Sequence, residues 1–162
     1  MINKKLGWLI TLIILALLLG CGAKVMTTDS GEEIPKPLRY SYFFLEYSND
    51  ISDLVGEITA ELYFEEIISE EDKDIIGLYW ADHKKAHNIL QNEVKKWYNE
   101  VDRGYDVSNK KQIAVLMYNV IQETEALQKI LDEVSGGKVT IPEGLIVNLY
   151  GLYDVIRSEF NG

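Results

Sequence analysis

The chain has 162 residues, is 47% hydrophobic, and carries 26 acidic against 16 basic side chains, for a formal net charge of −10. A surface this acidic repels the phosphates of nucleic acid, so no nucleic-acid partner is expected. The length suits one globular domain whose core needs no structural metal, and the single cysteine leaves no disulfide to form within the chain.

The first 20 residues contain the parts of a secretory signal. Lys4 and Lys5 supply positive charge, Leu6 begins an apolar run that ends at Leu19, and Gly20 is the small residue at the cleavage point. As a helix, this run would be about 22 Å long, which is shorter than the roughly 30 Å hydrocarbon core of a bilayer. A cleaved signal is therefore favoured over an uncleaved spanning anchor.

The end of this run, Leu18-Leu19-Gly20-Cys21, resembles the lipobox of bacterial lipoproteins, although Leu19 stands where a small residue is often found. The resemblance implies cleavage before Cys21 and attachment of a diacylglyceryl group to its thiol, which with a second acyl signal gives stable membrane anchoring. It also implies a bacterial envelope location. Gly22 stands where an aspartate would favour the inner membrane, so an enteric-type envelope would place the protein in the outer membrane.

We predict three segments: a signal peptide at 1–20, the lipidated cysteine with a flexible tether at 21–37, and a helical domain at 38–162. The tether prediction rests on the run GAKVMTTDSGEEIPKP, which has no apolar period and contains Gly31, Pro35 and Pro37. It is expected to be disordered.

The pattern after Pro37 predicts a first helix from about Leu38 to Ile68. Its apolar residues recur every three or four positions, as on one face of a helix: Phe44, Tyr47, Ile51, Leu54, Ile58 and Leu62. Acidic residues follow the other side at intervals of four, and a solvated face explains them better than a cation site does: Asp53, Glu57, Glu61 and Glu65.

A second helix is predicted from Glu70 to about Arg103, with Ser69 as its N-terminal cap and Gly104 as its stop. Its apolar face also carries a histidine: Ile76, Tyr79, His83, Ala86, Leu90, Val94, Trp97 and Val101. A helix of about 50 Å needs partners along its whole length, which favours a bundle.

A third helix, capped by Asp106 or Ser108, is predicted to end at Gly136. Its apolar positions are Ile113, Leu116, Val120, Thr124, Leu127, Leu131 and Val134. The spacing of Thr140 and Glu143, with Pro142 between them, predicts a capping box that begins a fourth helix. Glycines at 144 and 151 suggest either close helix contact or a frayed helix.

Short connections make successive helices antiparallel. The predicted fold is all-α: an antiparallel up-down bundle of three long helices plus a shorter C-terminal helix.

The two histidines, His83 and His87, are four residues apart, so both imidazoles can face the same way as a metal pair. Asp82 is an available third ligand. Because His83 falls on the apolar face, a hydrogen-bonded core histidine is the alternative. Lys84 stands where a zincin motif has its glutamate base, so that enzyme class is excluded.

Nothing else in the sequence has the pattern of a catalytic or cofactor site. Cys21 is explained by lipidation, and there is neither a Walker loop nor a dinucleotide fingerprint. We therefore expect a non-enzymatic protein without a cofactor.

Aromatic residues offer two interpretations, packing in a thin bundle or binding of a protein partner. Trp97 is predicted to be in the core, whereas others are candidates for a partner surface: Tyr40, Tyr42, Trp80, Tyr98, Tyr150 and Tyr153.

The long helices, the Gly136-Gly137 break, the short last helix and the ISEED run before the second helix are similar to small helical lipoproteins of phage and prophage genomes. That resemblance implies roles in lysis or in exclusion of other phages, without choosing between them. The function expected is an anchored bundle that binds another protein, and the alternative is a ligand or metal carrier that uses His83 and His87.

Overall fold

The computed structural model describes residues 26–105 and 110–161. The predicted signal peptide, Cys21 and the proposed caps Asp106 and Ser108 lie outside the described residues.

Four helices make up nearly all of the described chain: α1 (Lys36–Phe64), α2 (Glu70–Asp102), α3 (Lys110–Ser135) and α4 (Glu143–Asn161). Each helix packs against the next along the chain, and α4 packs back against α1, so the four close into a bundle. Across these residues the only β-type pairing is an isolated bridge between Thr27 and Glu33. The predicted all-α bundle is confirmed.

The core is mainly apolar, and most of its buried serines lie on α1, where they share the buried face with large side chains. Ser41 and Ser48 are fully buried and Ser52 is nearly so. Ser41 donates to the carbonyl of Pro37, and Ser52 accepts a 2.8 Å hydrogen bond from the Trp80 indole. Each of these buried hydroxyls has a hydrogen-bond partner, so the serines leave no unpaired hydroxyl on the core face of α1.

Helix α1 ends four residues earlier than predicted, and the cause is a C-terminal motif that normally uses glycine. Glu66 has a φ of 56°, in the left-handed region. The amide of Ile67 donates to the carbonyl of Leu62 and that of Glu66 to the carbonyl of Tyr63, which is the Schellman pattern. Without a glycine to mark it, this stop gives no signal in the sequence.

Helix α2 begins and ends as predicted, to within one residue. The Ser69 hydroxyl accepts from the amide of Asp72, and the Asp72 carboxylate accepts from the amide of Ser69, which completes a capping box. At the other end, Gly104 has a φ of 76°, and the amide of Tyr105 donates a hydrogen bond to the carbonyl of Glu100.

The start of α4 differs from the prediction. Helix α4 begins at Glu143, and the Thr140 hydroxyl donates to the carbonyl of Ile141 instead of capping the first turn. The close helix contact suggested for Gly144 and Gly151 is also wrong, because a Cβ at either position would meet nothing within 4 Å.

Residues 26–35, which we call the N-terminal hook, are ordered against the bundle and do not form the flexible tether expected there. Thr28 and Ile34 are buried. The amide of Ser30 donates to Asp102 Oδ1 at 2.8 Å, and the Ser30 hydroxyl donates to the Asp102 carbonyl at 2.8 Å. The polar sequence of the hook is explained by these contacts with the end of α2, which composition alone did not reveal.

Two glycine substitutions should have opposite effects on stability. Gly151→Ala should raise the free energy of unfolding by about 1 kcal/mol, because it adds helix propensity in open space. Gly56→Ala should lower it by about 1 kcal/mol or more, because its Cβ would lie 3.2 Å from the ring of Trp80, which the bond to Ser52 holds in place. Urea unfolding of the three proteins measures both effects, and equal shifts would contradict the packing described here.

Candidate functional site

Ser48, His83 and His87 form a polar group between α1 and α2, which we call the histidine cluster. The Ser48 hydroxyl lies 2.9 Å from His87 Nδ1 and 3.4 Å from His83 Nε2. Ser48 and His83 are fully buried, whereas His87 is half-buried. The sequence therefore placed both imidazoles on the same side of α2 correctly, but it gave no sign that a serine of α1 bonds to both.

The single hydroxyl proton of Ser48 fixes the direction of the two hydrogen bonds. His83 Nδ1 is buried and has no hydrogen-bond partner. If the proton of His83 is on Nε2, then Nδ1 is an unpaired acceptor. A buried unpaired acceptor costs less free energy than a buried unpaired N–H. We infer that His83 Nε2 donates to Ser48 and Ser48 donates to His87 Nδ1. The proton of His87 then resides on Nε2.

Both histidines are held neutral. Burial, followed by the nearby His87 and Lys84, lowers the pKa of His83 from 6.5 to about 4. Burial likewise lowers the pKa of His87. At neutral pH the cluster is thus an uncharged network that satisfies most of its polar atoms.

Metal binding at this pair stays a prediction. Two ring nitrogens are directed at one hydroxyl, which is the convergence that a metal pair needs. Asp82, the suggested third ligand, is exposed and lines a crevice between α2 and α3. Within the described ranges, no three His, Cys, Asp or Glu side chains are grouped so that they could hold an ion.

A polar groove of about 770 Å³ runs between α1 and α2, and His87 forms part of its lining. The other lining residues come from both helices and from Asp29 of the hook. The hook thus closes one end of the groove, where the amide of Asp29 donates to the hydroxyl of Tyr98. Burial and the neighbouring Asp53 raise the pKa of Asp50, another lining residue.

The turn between α1 and α2, residues 63–70, forms an apolar surface that we call the distal tip. Phe64 is 83% exposed, the largest exposed fraction among the large hydrophobic residues of the described chain. Beside it lies a shallow depression of about 520 Å³ that includes Tyr63 and Ile67. Several carboxylates surround the tip and all are exposed: Glu61, Glu65, Glu66, Glu70 and Glu71.

The aromatic residues suggested from the sequence as a partner surface mostly pack within the bundle. Trp80 bonds to Ser52 and lies under the Lys84 ammonium at 3.8 Å. Tyr98 and Tyr42 meet edge to face. The Tyr150 hydroxyl donates to Glu125 at 2.6 Å, and this bond raises the pKa of Tyr150 to about 12. Trp97 is buried, as predicted.

Sequence reasoning missed Phe64 because it extended the first helix through Ile68. It also missed Ser48, which lies seven residues after Ser41 and four before Ser52. That spacing of small polar residues on a core-facing helix is the signal that would have located the cluster.

Comparisons of the chain with protein-family models, with curated proteins and with solved structures found no match. In the part of the chain that the structure describes, none of the helices combines the length and apolar character needed to cross a bilayer.

The buried cluster should make stability depend on pH. The folded-state pKa of His83 is about 4, against 6.5 for a free histidine. Below pH 6.5 the unfolded chain therefore gains a proton that the folded protein does not bind, and the free energy of unfolding falls as the pH decreases towards 4. The free energy of unfolding should drop by about 2–3 kcal/mol between pH 7 and pH 4.5. Urea titrations at both values measure this drop.

The matched control is His83→Gln, which replaces the imidazole by a polar carboxamide that does not titrate. Its unfolding free energy should fall much less over the same interval. Parallel curves for the variant and the parent protein would show that protonation of His83 is not the cause.

Proposed function

We propose that the protein is a lipid-anchored, non-enzymatic component of a bacterial envelope that binds another protein through its distal tip. The observation that carries this proposal is the position of the tip relative to the hook. The two lie at opposite ends of α2, which has 33 residues and is therefore about 50 Å long.

An anchor at Cys21 would hold the hook end close to the membrane. Five peptide units join Cys21 to Met26, and they span at most about 18 Å when fully extended. The hook bonds to Asp102 and Tyr98 at the C-terminal end of α2. The N-terminal end of α2, and Phe64 with it, would thus be directed away from the lipid surface, where a protein partner has access.

The chemistry of the tip suits a cationic protein surface that contains an apolar pocket. An exposed aromatic ring is a typical binding hot spot when a partner encloses it. The surrounding carboxylates favour a basic rim on that partner and repel acidic surfaces, which contributes to association rate and specificity. The Lys73 ammonium lies 4.3 Å from the Tyr63 ring and 3.7 Å from the Glu70 carboxylate, so it offsets the charge of Glu70 and leaves the other carboxylates of the tip unpaired by it.

A non-enzymatic role is supported by the burial of the histidine cluster. Its hydroxyl and the ring of His83 are fully buried, so no substrate reaches the one serine that is bonded to an imidazole among the described residues. The cluster joins α1 to α2. The resemblance to phage lipoproteins directs the search for a partner to lysis and to exclusion of other phages.

Photo-crosslinking in the native envelope tests the tip. A benzophenone amino acid that replaces Phe64 should yield one stoichiometric protein adduct. The same residue in place of Val147, which is 57% exposed on α4, should yield none. A Cys21→Ser protein should lose both the lipid mass and the adduct.

Charge reversal provides the second control. Glu65→Lys and Glu66→Lys should each reduce the adduct at position 64 several-fold, because the partner is cationic. Equal labelling from positions 64 and 147, or labelling that reversal leaves unchanged, would argue against the tip as the binding surface.

A second function, metal or small-ligand carriage, is favoured by the convergence of His83 Nε2 and His87 Nδ1 on one hydroxyl. If the pair binds zinc, calorimetric titration should show a micromolar dissociation constant. His83→Ala should abolish the heat, while Asp82→Ala should not, because Asp82 lines a different crevice. Absence of heat with the parent protein would eliminate this function.

A further inference from the structure

The groove between α1 and α2 has the size of a small-molecule site. Its volume of about 770 Å³ falls within the usual range of about 300–1,000 Å³. At the hook end, Tyr42 and Tyr98 stand with ring centroids 6.2 Å apart and nearly perpendicular. The hook itself holds the Tyr98 hydroxyl, so this aromatic wall is fixed before any ligand arrives.

Carboxamides are the most numerous polar side chains in the lining. Asn49, Gln91, Asn92 and Asn99 all face the groove. Each offers both donors and acceptors, and the three on α2 have no hydrogen bond to any other described residue. A sugar hydroxyl is likewise donor and acceptor at once, so a row of free carboxamides matches a polyhydroxylated ligand.

The charges of the groove exclude several other ligands. Three carboxylates, of Asp29, Glu46 and Asp50, face it against the single ammonium of Lys95, so a phosphate or another anion is repelled. Leu45 is the only aliphatic side chain in the lining, so a wholly apolar ligand would leave the polar groups without water or partners.

His87 can offer a hydrogen-bond donor to the groove that it lines. In the tautomer inferred above, Ser48 donates to His87 Nδ1, so the remaining ring nitrogen, Nε2, carries the proton and can donate to a carbonyl. Leu45 lies in the same lining and can cover a methyl group. An acetamido group carries both a carbonyl and a methyl. We propose that this groove binds a short N-acetylated saccharide, with its acetamido group on His87 and Leu45 and its hydroxyls on the carboxamides.

The test uses the full chain, purified from bacterial membranes in detergent, and titrates it with the N-acetylglucosamine trimer. We expect saturable binding with a dissociation constant of about 1 mM or lower, and amide shifts confined to the groove in nuclear magnetic resonance spectra. His87→Leu and Asn92→Ala should each weaken binding about ten-fold, because each removes one hydrogen bond. His87→Gln, which restores a donor, should recover part of the loss.

Asn119→Ala, at an exposed asparagine of α3, is the matched control and should bind like the parent chain. Asn92 is exposed as well, so its variant keeps the test valid if the His87 variants unfold. The trimers of glucose and of glucosamine complete the comparison. Equal binding of the glucose trimer would overturn the role of the acetamido group. Tighter binding of the glucosamine trimer would assign the groove to cations, and absence of saturation would overturn the site altogether.

Discussion

The Ser48 hydroxyl lies where α1 packs on α2, and its two hydrogen bonds join the helices in the buried contact between them. A larger residue at this position would separate the helices, and an apolar residue of the same size would leave two ring nitrogens without partners. The neutral state of both imidazoles follows from the same burial. The hydrogen bond from Ser48 to His87 Nδ1 sets the tautomer that we infer for His87. In that tautomer His87 Nε2 carries the proton, so Nε2 is the donor available to the groove.

The two ends of α2 differ in structure because different local interactions terminate the helices there. At one end, Gly104 stops α2 and Asp102 receives the hook, which fixes the first described residues against the bundle. At the other end, a glutamate occupies a left-handed position that glycine would fill with less strain. Glu66 at this position adds one more exposed carboxylate to the tip, which a glycine in the same turn would not supply.

How far the sequence predicts this structure depends on whether each signal is local. Ser69 and Gly104 act within their own turns, so the limits of α2 could be read from them. The stop of α1 could not, because its motif tolerates Glu66 only through hydrogen bonds that sequence does not display. The histidine spacing predicted a shared face, but the partner on α1 is 35 and 39 residues away, and helix periodicity cannot pair residues across helices. The hook was missed for the same reason: its stabilising contacts lie about 70 residues ahead in the chain.

The groove and the distal tip share α1 and α2, yet they are built to act separately. From Glu70 at the tip to Gln91 in the groove, α2 rises about 30 Å, and His83 lies between them. Coupling over such a distance requires an element with two alternative arrangements. The described contacts supply none: the cluster is buried and hydrogen-bonded to both helices, and Trp80 is fixed between Gly56 and Ser52. Between the two sites, α1 and α2 are thus joined by the hydrogen bonds of Ser48 and Ser52. Any coupling between the tip and the groove would have to break or rearrange these hydrogen bonds, because they lie on the helices that connect the two sites.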